Sequence, residues 1–436
     1  MLNSFNLMAA TFKALKSSHR LEDKQTTKNP ATLGLQNLKS NFLLLASVCF
    51  IWLFSSPLVL ANQKQKTNET FYNPLEITQP DPLLPLSGQP LTPTQRLKLS
   101  QSLDQLNQQA AARLAAGDSI NAFAIWNREL RLRRSLGFQP EVEALGRVGA
   151  IAWSENQRQE LQVITQRLLE IQQQTQIQPI DLKLLNALGY AFQQVRQPSS
   201  AIATYEQILL TTRRSKDLVA TQATLRTLAE LNLSWFDYPK ATAAYQELLN
   251  YATSQSDRQA TISYLQQLDY IYEKAKQYQQ AVAAKQKLFA LYQDDPQLSL
   301  SLPTLRGAIA RNYQALGQSQ AAFDNYQQAY TSAWSLQQYA LAADALRQMI
   351  SLYRSLGQID AALQTSQILL QAEQRAANLY GMMTAYDQIG QLYLSRTSLN
   401  EALSAFQKGL ELALQLNYQQ TYFTQQIQQI NQRQPK

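Results

Sequence analysis

Past residue 61 the chain contains no cysteine and no histidine; Cys49 and His19 are its only examples and both fall earlier. That absence removes whole classes of chemistry from the remaining body. A Ser-His-Asp triad, a cysteine nucleophile, a His/Cys zinc site and a Cys-x-x-Cys-His haem attachment are all excluded there. So are disulfides, and a body of this kind suits an oxidising or a reducing compartment. Charge is thin as well, at 16% of 436 residues. No glycine-rich phosphate loop is present. Asp294-Asp295 before Pro296 lacks neighbouring ligands at fixed offsets and reads as a solvated turn rather than a metal site. The sequence therefore predicts no cofactor and no metal.

The formal charge of +8 is partly an end effect. Before residue 62, Lys13, Lys16, Arg20, Lys24, Lys28 and Lys39 stand against only Glu22 and Asp23. The rest of the chain is nearly balanced, without the clustered basic face that a nucleic-acid partner requires.

What the chain has in abundance is glutamine, spread between regularly spaced Leu, Ala and Tyr. Glutamine is a good helix former, and at this spacing it covers solvated helix faces without adding charge.

Three regions precede the main body. Residues 1–40 are basic and predicted to be disordered. Residues 41–61 hold an almost purely apolar run, 42–60, just long enough to cross a bilayer as a helix. Its positive flank keeps the amino end in the cytoplasm. Val59-Leu60-Ala61 is an acceptable cleavage site, so the segment reads as a signal peptide ending at Ala61 or as an uncleaved signal-anchor helix. Cys49, preceded by Val48, reads as a small apolar residue rather than a lipidation site. Residues 62–94 carry Pro74, Pro80, Pro82, Pro85, Pro90 and Pro93. Proline fixes φ and removes a donor, which predicts an extended tether holding the body off the membrane.

From residue 95 to 416 one pattern recurs. A residue within a helical stretch is followed four later by a bulky or aromatic one. It falls at Ala122, Leu161, Ala201, Ala241, Ala281, Ala322, Ala362 and Ala402, at intervals close to 40. A fixed period in this range signals a solenoid of stacked units. Leu185, Leu188 and Phe192 lie on one helical face, with the small Gly189 letting a second helix approach. Pro198 suits the first turn of that second helix, whose inner face carries Ala201, Tyr205 and Ile208. Each unit is thus two antiparallel helices that must stack to bury their stripes. The same frame gives Leu225, Leu228, Ala229, Ala241 and Tyr245. It recurs as Leu265, Leu268, Tyr272, Ala281 and Leu288, then as Ile309, Ala310, Tyr313, Ala322 and Tyr326. Two more copies are Leu346, Met349, Tyr353 and Ala362, and Tyr386, Ile389, Gly390, Tyr393, Ala402 and Phe406. The tyrosines 272, 313, 353 and 393 fall at a packing position, so they read as core. Tyr422, Phe423, Ile427 and Ile430 form a last amphipathic stripe within 417–436, read as a capping helix and tail.

These small and aromatic positions resemble the tetratricopeptide repeat family over roughly residues 97–413. The family's period is 34, against 40 here, so six extra residues per unit predict longer helices, by about 9 Å per repeat. The resemblance implies an all-α, right-handed superhelical solenoid of about eight helix pairs. It also implies a non-enzymatic scaffold or assembly factor that binds proteins or peptides on a concave face lined by the first helix of each pair. Carried over residue by residue, that face holds Lys183, Asn186, Tyr190, Arg226, Tyr270, Lys274, Arg311, Arg347 and Arg354, with Glu230, Glu273, Asp344 and Asp387 beside them. Arg grips carboxylates bidentately and Tyr offers rigid amphipathic area, so an acidic peptide is the expected partner. The alternatives are a peptide or signal receptor of the same architecture and, further off, a glycan-acting enzyme built on a carboxylate pair. The apolar segment predicts that the solenoid lies across a membrane, in a periplasm or thylakoid lumen, either released or anchored.

Overall fold

One three-residue turn, used repeatedly, organises the chain. The computed structural model describes residues 73–76, 80–85, 90–175 and 181–433. The basic region 1–40, the apolar segment 41–61 and the first part of the expected linker lie outside the described residues. Seventeen α-helices follow one another, with no strand among the described residues. They are α1 (Pro93–Ala115), α2 (Ser119–Arg133), α3 (Phe138–Ser154), α4 (Arg158–Thr175), α5 (Leu182–Gln194) and α6 (Pro198–Arg214). Next come α7 (Leu218–Ser234), α8 (Tyr238–Ser254), α9 (Arg258–Lys274), α10 (Tyr278–Gln293), α11 (Leu302–Ala315) and α12 (Ser319–Ser335). The last are α13 (Tyr339–Ser355), α14 (Ile359–Arg375), α15 (Leu379–Ser395), α16 (Leu399–Leu416) and α17 (Gln420–Arg433). Most helices pack chiefly on their sequence neighbours, and α3 also packs on α5.

From α6 onward most helices are 17 residues long and the turns between them take three. Two helices and two turns make up the repeat, so most of its length is helix. The turn itself is a Schellman motif. At α5–α6 the Gln197 N–H donates to the Phe192 carbonyl at 2.8 Å, and the Arg196 N–H to that of Gln193 at 3.1 Å. Arg196 takes the left-handed conformation, φ 59°. Equivalent left-handed residues recur at Lys216, Phe236, Ser256 and Lys276, and again at Gln337, Gly357, Ala377, Thr397 and Asn417. Except at Asn417, where α17 starts at Gln420, the residue after each opens the next helix. Where it is Asp, as at Asp217, Asp237 and Asp257, its carboxylate accepts the backbone N–H three residues on and satisfies an otherwise orphaned donor. Where it is Gln, as at 318 and 358, no side-chain cap forms.

Successive helices therefore begin at half the repeat interval, as two helices per unit require. Helices α6 to α10 begin at the evenly spaced Pro198, Leu218, Tyr238, Arg258 and Tyr278. The same step separates Ser319, Tyr339, Ile359, Leu379 and Leu399, which begin α12 to α16. Between α10 and α12 one extra residue enters, at the Asp294–Ser301 connection. There the Asp295 carboxylate accepts the N–H groups of Gln297 and Leu298 at 2.9 and 3.2 Å, the solvated turn expected of this segment.

The recurring frame buries a recurring pair. Gly189, Ala229, Asp269, Ala310, Ile350 and Gly390 fall in one slot of the first helices. The matching slot of the second helices holds, in the same order, Tyr205, Tyr245, Lys285, Tyr326, Ser366 and Phe406. Sizes and charges complement one another down the series: small with aromatic, Asp with Lys, large Ile with small Ser. The Lys285 ammonium donates to Asp269. The rings of Tyr205 and Phe406 occupy the space that a Cβ would take at Gly189 and Gly390.

A few of the glutamines have a second use. Gln246 Nε2 donates to the Tyr272 hydroxyl at 2.8 Å, Gln266 to Tyr292 at 2.8 Å, and Gln286 to Tyr313 at 3.2 Å. The last pair spans one residue more than the others, absorbing the slip between α10 and α12. A half-buried phenol needs such a partner. Tyr272 and Tyr353 are core residues as expected, while Tyr313 and Tyr393 are half-buried. At the carboxyl end Phe423 and Ile430 of α17 are buried, and the Phe423 ring lies against Gly409 of α16.

The described part of the expected tether does not stand off. Leu75 is 2% exposed and belongs to the main core. Leu83, Leu84 and Leu91 pack on the Leu99, Leu103, Leu106, Leu132 and Leu136 cluster. Arg128 grips Asp81 through two bonds of 2.7 and 3.0 Å, and Arg131 donates to the Pro74 carbonyl at 2.7 Å. Proline forbids regular structure here, but it does not prevent leucines between prolines from finding an apolar surface. The Arg128 contact also holds the Asp81 carboxyl below its ordinary range.

Candidate protein-binding face

The first helices of the pairs (α5, α7, α9, α11, α13) bury one stripe and leave another in solvent. On α5, Leu185, Leu188 and Phe192 are buried, while Lys183, Asn186 and Tyr190 are exposed. The frame repeats, so Asn186, Arg226 and Arg347 share one slot and Tyr190, Glu230, Tyr270 and Arg311 share the next. Tyr190 and Tyr270 are 60% and 49% exposed, unlike the tyrosines of the core.

The structure separates these residues into free and committed ones. Lys183, Arg311 and Arg354 are exposed, and no side-chain bond engages them among the described residues. The Lys274 ammonium sits 5.4 Å from the Tyr270 ring centroid, a cation–π contact that stiffens both side chains. Arg226 donates to the Tyr264 hydroxyl at 3.3 Å, which also raises its already high pKa. Asn186 is turned back onto the Leu182 carbonyl, 2.7 Å away.

Arg347 is a correction to the sequence reading. Its guanidinium bonds Asp344 and the fully buried Glu373. Glu373 also accepts from Asn378 at 2.8 Å and lies against Gly381. Arg347 is therefore the counter-charge of a buried acid and unavailable to a ligand. Three acids placed on the same face are committed too. Asp344 holds Arg347; Glu273 accepts from Lys285 at 2.7 Å; Asp387 accepts the Tyr422 hydroxyl at 2.7 Å. Burial and that last bond push the Tyr422 phenol up to about 12.

Sequence reasoning missed the buried charges. Glu129 lies between Arg133 and Arg147, and Glu141 between Arg134 and Arg167. Lys285 is held by Asp269 and Glu273. A signal was present for Lys285, which stands in the slot that holds Tyr205, Tyr245, Tyr326 and Phe406 in four of the other units and Ser366 in a fifth. A charge at an aromatic core position requires a partner, and Asp269 supplies it from the matching slot. Burial raises the Asp269 carboxyl, against the pull of Lys285. No group of three metal-ligating side chains occurs among the described residues.

No protein-family model matches the chain, and no curated protein does. Among solved structures, BtubC from P. vanneervenii is similar at 18% identity over 50% of this chain and 92% of its own, with a TM-score of 0.34. Aspartyl phosphate phosphatase F from Bacillus subtilis gives 16% over 63% and 76%, with a TM-score of 0.37. A signal-transduction ATPase with a tetratricopeptide repeat sensor from Pyrococcus horikoshii gives 13% over 76% and 52%, with a TM-score of 0.36. At such scores neither a partner nor an activity carries across.

Proposed function

We propose that the protein is a non-enzymatic scaffold or assembly factor of the tetratricopeptide type, a right-handed superhelical solenoid that holds an extended, acidic segment of a partner protein. The observation that carries this reading is the row of exposed Tyr190, Tyr270 and Arg311 in one slot of the first helices, a slot that holds Glu230 on α7, with Lys183, Arg226, Lys274 and Arg354 flanking it. Rigid aromatics beside exposed cations suit a backbone and its carboxylates. Interface hot spots favour Tyr and Arg.

The apolar segment 42–60 supports a second element of the proposal, that the helices work across a membrane as a released or an anchored protein. No described helix is long and apolar enough to cross a membrane, and residues 42–60 lie outside the described ones.

The test is recovery of carboxy-terminally tagged full-length chain from cells in mild detergent, with its mass and companions read together. A stoichiometric partner that Tyr190→Ala/Tyr270→Ala/Arg311→Ala releases supports the scaffold. A mass beginning at Asn62 supports cleavage; an intact chain in the membrane fraction supports an anchor. Compaction on adding a small peptide, without a stoichiometric protein, favours a receptor. Recovery of the chain alone, insensitive to any acidic peptide, overturns the proposal.

A further inference from the structure

The turns α5–α6, α7–α8 and α9–α10 each follow a first helix, so antiparallel stacking sets them along one edge of the solenoid. Their left-handed residues are Arg196, Phe236 and Lys276, all exposed. Phe236 is 75% exposed, and Trp235, which caps α7, is 53% exposed. The Phe236 ring stands edge-on to Tyr238, with 6.3 Å between centroids. No side-chain bond engages Arg196 or Lys276 among the described residues. Asp237 is the one acid of these three turns, and its carboxylate accepts the Lys240 N–H at 3.2 Å. Glu273, just before the third turn, is held by Lys285.

The stability of the fold does not call for this arrangement. A bulky L-residue at positive φ is strained. Gly317 and Gly357 fill the same turn position two and three units on. An aromatic pair kept in water at a strained turn, with an unpaired cation in the turn on either side, marks a surface that meets something outside the chain.

We propose that this edge docks on an anionic lipid surface. Trp235 and Phe236 enter the boundary between headgroups and acyl chains, and Arg196 and Lys276 meet lipid phosphates on either side. Aromatic rings with a polar edge favour that boundary, and basic residues are drawn to an anionic leaflet. Rings that project from a turn enter a soft interface directly, whereas a protein partner must bring a pocket for them. The contact is made by turns, separate from the row on the first helices. It stands whether segment 42–60 remains or is cleaved.

The experiment reconstitutes the full-length chain into vesicles of brominated phosphatidylcholine, alone or mixed with brominated phosphatidylglycerol. Segment 42–60 is present in every sample, so it contributes equally to all of them. The emission of Trp235 is that of the parent less that of Trp235→Phe. It is expected to be quenched in the mixed vesicles. It is expected to recover in phosphatidylcholine alone, and at high salt, which screens the phosphates. Phe236→Gly suits the turn and is expected to abolish the quenching without lowering the melting temperature. Arg196→Gln/Lys276→Gln is expected to abolish the preference for the anionic vesicles. Trp235 left unquenched in both vesicles overturns the proposal and leaves a protein as the occupant of the edge. Parent quenching that is equal in both vesicles, or that neither variant alters, overturns it as well.

Discussion

The ring of Tyr205 lies on Gly189 so closely that a methyl group at residue 189 would stand 2.9 Å from its Cε2 and Cζ. Gly189→Ala is therefore expected to cost about 1–3 kcal/mol through overpacking, despite the better helix propensity of Ala. In a Tyr205→Leu background the same change is expected to cost nothing, since the two residues act as a pair. Gly307 gives the contrast: a Cβ there meets only Arg311 Nη1, at 3.8 Å. Gly307→Ala is expected to stabilise by up to about 1 kcal/mol. Urea unfolding followed by circular dichroism checks all three.

The Lys285–Asp269 pair occupies the same two slots as Gly189 and Tyr205. Lys285→Ala alone strands two carboxylates and is expected to cost about 3–5 kcal/mol. The double change Asp269→Ala/Lys285→Tyr recreates the pairing seen at Ala229 and Tyr245. It is expected to match or exceed the parent in stability, as replacement of buried ion pairs by well-packed residues often does. A double variant as unstable as Lys285→Ala would show that the slots are not interchangeable.

The turns hold unrealised stability. Phe236 has φ 61° and is 75% exposed. A left-handed L-residue costs about 1–2 kcal/mol, so Phe236→Gly is expected to stabilise by about 1 kcal/mol. Gln358 opens α14 without a cap. Gln358→Asp is expected to add about 1 kcal/mol, the worth of a typical N-cap. A rise in melting temperature for each, and their sum for the double variant, is the outcome to look for.

Alkaline titration reads the core. Burial pushes the Tyr326 and Tyr353 phenols up to about 12, and Tyr422 reaches the same value. An unfolded tyrosine ionises near 10. Between these values the unfolded chain has lost protons that the native chain retains, so stability falls as pH rises. Absorbance at the phenolate band is expected to show most of the 21 tyrosines ionising first and a buried group lagging. Unfolding free energy should decline over the same window. Phenolates appearing together near 10 in a folded chain would contradict this.

Arg347 and Arg354 share a helix and differ in role. Arg347→Ala uncovers the buried Glu373 and is expected to destabilise by about 3–5 kcal/mol. Arg354→Ala is expected to leave the melting temperature within about a degree, since isolated surface changes stay within ~0.5 kcal/mol, and to weaken partner capture. Paired melting and co-purification measurements separate the two effects.

The helical repeat was legible because its apolar spacing is strict: Leu185, Leu188 and Phe192 set one face and Ala201, Tyr205 and Ile208 the next. The recurring turn was equally present, but it is written in backbone conformation. Arg196, Lys216, Phe236 and Ser256 share no chemistry, so side-chain patterns hide that they share a φ. The exposed positions of Tyr190, Tyr270 and Arg311 follow from the frame. The capture of Arg347 does not, because its partner Glu373 lies on the next helix, near the carboxyl end of α14. Leu75 and Leu83 were obscured by the prolines around them, which speak of local geometry and not of what the leucines meet.

Helices α6, α7, α8 and α10 bury one common frame: Ala201, Tyr205 and Ile208; Thr221, Leu225 and Leu228; Ala241, Tyr245 and Leu248; Ala281, Lys285 and Leu288. Excising one block, such as 218–237, keeps each remaining turn intact and every buried position in phase. It also reverses the direction of every later helix, so Tyr270 and Arg311 come to lie on helices running opposite to that of Tyr190. Excising two blocks restores the original sense. The chain carries a parity: the sense of its binding row, and the matching of small first-helix residues to large second-helix ones, survive only when such blocks change in pairs.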